Sequence, residues 1–451
     1  MRLHQHMLGM LLCPSKATLT NLICTCGGQQ ADWSADYRLY SKDRVDESVL
    51  FGRVRDTLIE NLAPGEPLMV AIDDTIIRKT GKKIHGTGWK RDPLGPPFQT
   101  NLVLAQRYLQ FSAAWPLESG AARMVPIDFL HAPTPVKPPK SADPEQHKSY
   151  REALKQQNLN RQTLNRLEIL RREMPAGRHL VIVGDGSFTN HTIVRGKPAD
   201  STYIGRGRKD MVVHFPPEPV AGANGRPRRY GALAPTPEQL RQDDSVPWQN
   251  VEAFAAGCRH TFGVKTIGPV LWRKAGADLL LRVVVIRPLG YRLRKGSRTL
   301  YRQPAYLICT DPDMPLEKLL QYYLWRWGIE VNLREEKTLI GTGDAHVRTQ
   351  ASNQHLPAVT VAAYAILWVV TLQALAAAAA FQGLHPPKWR KDRALDGSLP
   401  STGDLLRLLR FEIWAAALRP ATFHHFVTDA PPDTNAQIPL PDLPATLFDA
   451  A

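Results

Sequence analysis

Two spacings of apolar residues alternate along this chain. Leu68-Met69-Val70-Ala71-Ile72 and His179-Leu180-Val181-Ile182-Val183 are short runs with the length and β-branched content of buried strands. Each stops at an acidic turn, Asp73-Asp74-Thr75 after the first and, past Gly184, Asp185-Gly186-Ser187-Phe188 after the second. Further strand-like runs lie near residues 98–109, 121–130 and 202–206. From about residue 149 to 173, Leu154, Leu159, Leu164, Leu167 and Leu170 recur among Arg, Lys and Gln as on one amphipathic helix. Three sequential strands, a crossover helix and a fourth strand predict a mixed sheet with helices packed on it. Such a sheet brings Asp73 and Asp185 together if their strands are neighbours.

The flanks read differently. Residues 1–60 carry short helical patterns, including 45–62, and predict a small helical domain without a helix-turn-helix signature. From about 210 to 312, Pro-rich and Gly-rich loops separate runs at 269–273, 279–286 and 305–310 that read as strands. Residues 356–380 form an apolar stretch long enough to span a bilayer. Their Thr, Tyr and Gln content, and their place just after residue 340, predict instead a helix buried against the sheet. Past about residue 381, one helical segment (401–418) precedes a Pro-rich, acidic tail expected to be poorly ordered.

The segment 323–337, YLWRWGIEVNLREEK, carries the most specific chemistry. At roughly 100° per residue, a single helix would set Tyr323, Arg326 and Lys337 within about 40° of Glu330. Ile329, Leu333 and Ile340 form a narrow apolar stripe beside them, suited to docking that helix on a core. By itself this face equally describes a solvated helix, since Glu330 lies four residues from both Arg326 and Arg334. Three acids together change the weighing. Carboxylate oxygens bind Mg²⁺ or Mn²⁺, and two such ions activate the attacking oxygen and stabilise the leaving one in phosphoryl transfer.

Charge points the same way. The chain has 57 Lys and Arg against 42 Asp and Glu, a net charge of +15, which draws it to polyphosphate by counterion release. With 451 residues and 43% hydrophobic content it can bury a substantial core and divides into two or three domains, unlike a ribosomal-type tail. Basic clusters occur at Arg206-Gly-Arg208-Lys209, Arg226-Pro-Arg228-Arg229 and Tyr291-Arg-Leu-Arg-Lys-Gly, and Trp272 lies among cations where it can stack on a base or simply be half-buried. Arg78, Lys79, Lys82, Lys83 and His85 form a basic loop that either lines a DNA path beside the first acid or is an ordinary exposed turn. Five irregularly spaced cysteines exclude a disulfide framework, and Cys24-x-Cys26 lacks a second pair of ligands at zinc-site spacing. No signal-peptide pattern follows the apolar run at 7–13. Residues 81–87 are not a P-loop, and the turn at Asp185 is not a nucleophile elbow.

Taken in order, these residues resemble bacterial insertion-sequence transposases of the DDE class that carry a Tyr-x2-Arg-x3-Glu-x6-Lys signature. Tyr323, Arg326, Glu330 and Lys337 match all three spacings, with Asp73 as first acid and Asp185 as second. Asp74 aligns as an alternative first acid; Asp73 directly follows the apolar run and leaves an Asp-x-Thr spacing to Thr75. The resemblance covers about residues 68–348. It implies a ribonuclease H-like α/β core at 61–209 and 313–380, a β-rich insertion at 210–312, a helical N-terminal domain at 1–60 that recognises transposon ends, and a tail at 381–451. It further implies that Asp73, Asp185 and Glu330 hold two Mg²⁺ or Mn²⁺ ions, that Arg326 and Lys337 grip phosphates, and that Tyr323 packs against the same backbone. The implied partner is double-stranded DNA, as transposon ends and as target, bound by a homodimer on paired ends in the prokaryotic cytoplasm at the nucleoid, with no membrane. A nuclease that cuts without joining, and a non-catalytic DNA-binding protein, are the other readings.

Overall fold

The computed structural model describes residues 2–92, 95–96, 98–99, 101–218, 227–292, 294, 296–377 and 399–418. Four helices come first: α1 (Arg2–Leu12), α2 (Leu19–Thr25), α3 (Ser34–Ser41) and α4 (Glu47–Glu60). Thr18 and Asp46 start α2 and α4 by accepting backbone N–H bonds from Asn21 and Ser48, as N-cap side chains do. The strands β1 (Leu68–Arg78), β2 (Gly88–Arg91), β3 (Leu102–Pro116) and β4 (Ala122–His131) follow. The crossover then runs through α5 (Pro144–Gln156) and α6 (Leu159–Glu173) to β5 (Leu180–Gly184), α7 (His191–Gly196) and β6 (Ser201–Arg206).

β1 lies between β3, antiparallel, and β5, parallel, and β5 pairs in parallel with β6. This is the mixed sheet the sequence predicts. Three details differ. The crossover helix is two helices, because Asn158 breaks the run and caps α6 through the N–H of Arg161. β1 does not stop where its apolar run stops: Thr75 and Ile77 remain buried on alternate positions, so the strand continues to Arg78 and Asp73 sits within it. The strand expected at residues 98–109 starts at Leu102 and runs to Pro116.

The β-rich stretch supplies α8 (Pro237–Gln242), β7 (Gln249–Ala255), β8 (Cys258–Leu271), β9 (Leu280–Ile286), a two-stranded ribbon of β10 (Gly290–Tyr291) and β11 (Leu300–Tyr301), and β12 (Ala305–Cys309). Its long strands continue the same sheet. The order β2-β3-β1-β5-β6-β12-β9-β8-β7, with β4 on β3, makes ten strands. β12 pairs antiparallel with β6 and thereby covers what would otherwise be an exposed strand edge.

The chain then forms α9 (Leu316–Trp325), α10 (Gly328–Thr338), α11 (Gln350–Ala377) and α12 (Thr402–Leu418). α11 is the expected apolar helix; residues 378–380 lie outside the described residues. Its side chains from Leu356 to Ala365 are almost entirely buried, and it packs on β4 and on α1, α3 and α4. A buried core position accounts for its hydropathy without a bilayer. The helical segment at 401–418 is α12, and the acidic tail beyond it lies outside the described residues.

His355 fastens α11 to the N-terminal helices. Its Nδ1 lies 2.6 Å from Glu47 Oε2 and its Nε2 meets Asp43. These acids hold the imidazole above its ordinary pKa of 6.5 against the opposing effect of burial. A histidine whose pKa rises on folding adds stability that is complete below 6.5 and is lost as pH climbs through the folded value. His355→Gln is therefore expected to lower the melting temperature most at pH 6 and progressively less toward pH 9, as read in a pH series of thermal melts.

Candidate active site

Strand alternation separates the paired aspartates. Asp73 and Thr75 share one face of β1, and Lys337 donates from Nζ to Thr75 Oγ1 and, at 3.1 Å, to the Ile76 carbonyl. Asp74 faces the other way and pairs with Arg107 of β3 at 3.2 Å. The register Ile72↔Gly184 sets Asp73 and Asp185 one step further along neighbouring parallel strands. Burial pushes the Asp73 carboxyl up to about 7, helped by the negative charge of Asp185 and opposed by the Asp74 N–H and by Arg326.

Asp185 is held by its own turn. Its Oδ1 accepts from the Ser187 N–H at 2.8 Å, the Ser187 hydroxyl at 2.6 Å and the Phe188 N–H at 3.2 Å. Phe188 is fully buried and anchors the turn against the core. The carboxylate is thus oriented before any ligand arrives.

The signature segment is not one helix. α9 ends at Trp325 and α10 begins at Gly328, with Arg326 and Trp327 between them. Backbone bonds Trp327→Leu324, Ile329→Arg326 and Glu330→Trp327 are of the i→i+3 kind, so the ladder tightens across the junction instead of continuing as an α-helix. Tyr323 therefore belongs to α9, Arg326 to the junction, and Glu330 and Lys337 to the first and last turns of α10. Gly328 explains where the break falls: a Cβ there would lie 2.5 Å from Met124 Cγ on β4. Gly328→Ala is expected to force α10 away from β4 and cost about 1–3 kcal/mol in chemical denaturation.

Arg326 occupies the middle of the cluster. It is 8% exposed, its Nη2 donates to Glu330 Oε1 at 3.2 Å, and its guanidinium lies 5.8 Å from the Tyr323 ring centroid. Its Nε and Nη1 are buried and find no acceptor among the described residues. Burial and the charges of Asp185 and Glu330 push the Tyr323 hydroxyl up, while Arg326 and Arg206 pull it down. Tyr323 is in this way the common neighbour of the second and third acids. Trp327, 61% exposed beside Arg326, is an aromatic surface the sequence reading passed over.

Among the described residues, no group of three or more His, Cys, Asp and Glu side chains is arranged to hold a metal ion. Asp73 and Asp185 come together, while Glu330 is turned to Arg326. The donor chemistry nevertheless suits a hard divalent cation: the ligands are oxygens, and the charge of Asp185 makes Asp73 harder to ionise, a cost that a cation between them would offset.

The basic positions separate on inspection. Lys79 is buried, donating to the carbonyls of Gly343 at 2.8 Å and Ala345 at 3.3 Å, so it is a structural clamp and not a DNA-path residue. Arg78 pairs with Asp92 at 2.7 Å, whereas Lys82 and Lys83 are exposed. Trp272 is half-buried and lines a cavity of about 460 Å³ together with Arg208, Arg273, Lys274 and Thr189, the last lying four residues beyond Asp185. Arg226, Leu293 and Lys295 of the other basic clusters lie outside the described residues.

A family model described as DDE superfamily endonuclease matches residues 2–278, more than half of the chain. The match includes Asp73 and Asp185 and stops before the segment of Glu330. No curated protein matches the chain.

Proposed function

The chain belongs to the DDE superfamily of endonucleases, whose substrate is DNA and whose members in general depend on divalent metal ions, and on that premise we propose that it is a DNA transposase. Asp73, Asp185 and Glu330 are the acids of its site, and Tyr323, Arg326 and Lys337 bind DNA there. The observation that carries this reading is the neighbourhood of Asp73 and Asp185 around a buried arginine whose Nε and Nη1 find no acceptor among the described residues.

Two Mg²⁺ or Mn²⁺ ions bound by these acids would supply an activated oxygen nucleophile and stabilisation of the leaving oxygen. The remaining work falls to the protein. The Asp185 turn fixes one carboxylate, and Lys337 ties α10 to β1 behind Asp73. For Glu330 to join the two aspartates, its bond to Arg326 must be exchanged for one between Arg326 and a DNA phosphate. Once released from Glu330, Nη2 forms a fork with the open Nε or with the open Nη1, and two such parallel N–H groups are what a phosphate's oxygens accept. Lys337 and the exposed Trp327 add a positive charge and a stacking surface along the same path.

The test is incubation of the full chain with DNA carrying its flanking terminal repeats and Mg²⁺. Nicks at the repeat ends followed by joining of the freed 3′ ends to a second DNA support a transposase. Cutting of intact ends with no joined product, even from precut ends, identifies a nuclease, and binding without Mg²⁺-dependent cutting identifies a non-catalytic DNA-binding protein. Removing the metal with EDTA is expected to stop cutting and leave binding.

A further inference from the structure

The face by which α10 docks on the sheet contains polar side chains. Ile329, Leu333 and Ile340 are buried as the apolar stripe expects, but Asn332 and Glu336 lie among them, 0% and 1% exposed. Asn332 Nδ2 donates to Ser112 Oγ at 3.3 Å and to the Met124 carbonyl at 3.0 Å. One turn later, Glu336 Oε1 accepts from Gln110 Nε2 at 2.9 Å, and the same amide reaches Ser112 Oγ at 3.2 Å. Two residues a turn apart on the helix thus meet two residues on one face of β3. Gln110 is the residue directly across from Asp73 in the β1–β3 register.

Close packing fixes where the apolar stripe sits, and buried directional bonds add to that, because a shifted helix would leave their polar groups unpaired. The chemistry of this pair is also defined. Gln110 Oε1 is buried and has no donor among the described residues. A carboxylic acid offers an O–H in that setting, while a carboxylate would add an unpaired charge beside an unpaired carbonyl oxygen. The charged groups facing Glu336 are Lys337 and Glu335 on its own helix and Arg123 on β4. Lys337 is engaged with Thr75 and Ile76, and Arg123 with Glu335, so neither is spent on Glu336. Burial accordingly pushes the Glu336 carboxyl up to about 8.

We propose that Glu336 is a positioning residue carried as a neutral acid, and that its bonding with Gln110 sets the register of α10 on the strand behind Asp73, and hence where Glu330 stands relative to Asp73. Its effect on rate rests on the function proposed above; its effect on α10 does not. Three readouts on the full chain test it: Mg²⁺-dependent end cleavage from pH 6.5 to 9.5, thermal melts over pH 5 to 9, and hydrogen exchange of residues 328–338.

Wild-type cleavage is expected to fall as pH rises through about 8, and Glu336→Gln, which keeps the hydrogen bond and cannot ionise, to remove that fall. Glu336→Leu is expected to cut at least about 10-fold more slowly at every pH, to bind DNA within about 2-fold of wild type, and to speed exchange across 328–338, with Glu336→Gln restoring slow exchange. A buried acid harder to ionise when folded loses stability as pH climbs from the ordinary carboxyl range to about 8, so the melting temperature of Glu336→Gln should gain on wild type over that interval. An identical alkaline fall and an identical melting profile in Glu336→Gln would overturn the neutral acid, and unchanged exchange in Glu336→Leu would overturn the positioning role. If the wild type does not cleave, the proposed function fails, while melts and exchange still decide this inference.

Discussion

Asp185→Asn should slow Mg²⁺-dependent DNA cleavage by at least about 10³-fold, equivalent to about 4 kcal/mol of transition-state stabilisation, without weakening DNA binding. The substitution keeps the turn that Ser187 and Phe188 build, since an amide oxygen accepts the same N–H bonds at Oδ1. It removes the charge that, beside Asp73, makes the Asp73 carboxyl harder to ionise. The metal-free protein should therefore melt no lower than wild type, and Asp73→Asn should behave alike. Asp74→Asn is the contrasting variant: it loosens the pair with Arg107 on the other face and is expected to cost far less activity. Rates from plasmid nicking, affinities from gel shift and melting temperatures separate these effects. Loss of stability and binding in step with cleavage would mark the aspartates as structural.

The second large effect concerns stability. Arg123 of β4 lies with its guanidinium 3.7 Å over the Trp368 ring, donates to Glu335 at 2.8 Å and meets the Tyr364 hydroxyl. Glu335 also accepts from Tyr364 at 2.6 Å and from Thr402 at 2.7 Å, so one ion pair joins β4, α10, α11 and α12. Burial pushes the Glu335 carboxyl up, but Arg123 and the hydroxyls of Tyr364 and Thr402 together hold it below its usual value. Arg123→Met preserves much of the apolar stem but leaves Glu335 as a largely buried charge without its counter-ion. The expected loss is about 3–5 kcal/mol in urea unfolding. Adding Glu335→Gln should recover a substantial part, because the stranded charge is then gone; strictly additive losses would show that the pair is not coupled.

The sheet and the neighbourhood of its two aspartates were legible because two apolar runs declare buried adjacent strands and because acids follow each run. The continuation of β1 to Arg78 was harder to see. Thr75 and Ile77 alternate with polar residues there, so the signal changes from a continuous run to a period of two at the position of Asp73. The break between α9 and α10 escaped a reading based on periodicity, since Arg326 and Trp327 keep helical dihedrals and only the hydrogen bonding tightens. Gly328 was the available signal, but the close approach to Met124 that requires it is a tertiary fact. The joining of β12 to β6 was likewise invisible, because strand order across the hundred residues between them depends on which edge is open and not on local pattern. Asn332 and Glu336 had a signal of their own: polar residues at the inward spacing of an otherwise apolar stripe. Arg326 shows the limit from the other side. Its i,i+4 spacing to Glu330 fits either a solvated face or a site, and the geometry gives a buried guanidinium whose Nε and Nη1 find no acceptor among the described residues.

The central claim, that Asp73, Asp185 and Glu330 converge on divalent cations against DNA, is tested most directly by replacing Mg²⁺ with Fe²⁺ in the DNA-bound protein and mapping where ascorbate-driven radicals cut the polypeptide. The expected result is three sets of cuts, near residues 73, 185 and 330, all suppressed by excess Mg²⁺ and with those near 330 weakened in Glu330→Gln. Cuts confined to other segments, or cuts at 73 and 185 that never include 330 when DNA is bound, would contradict it.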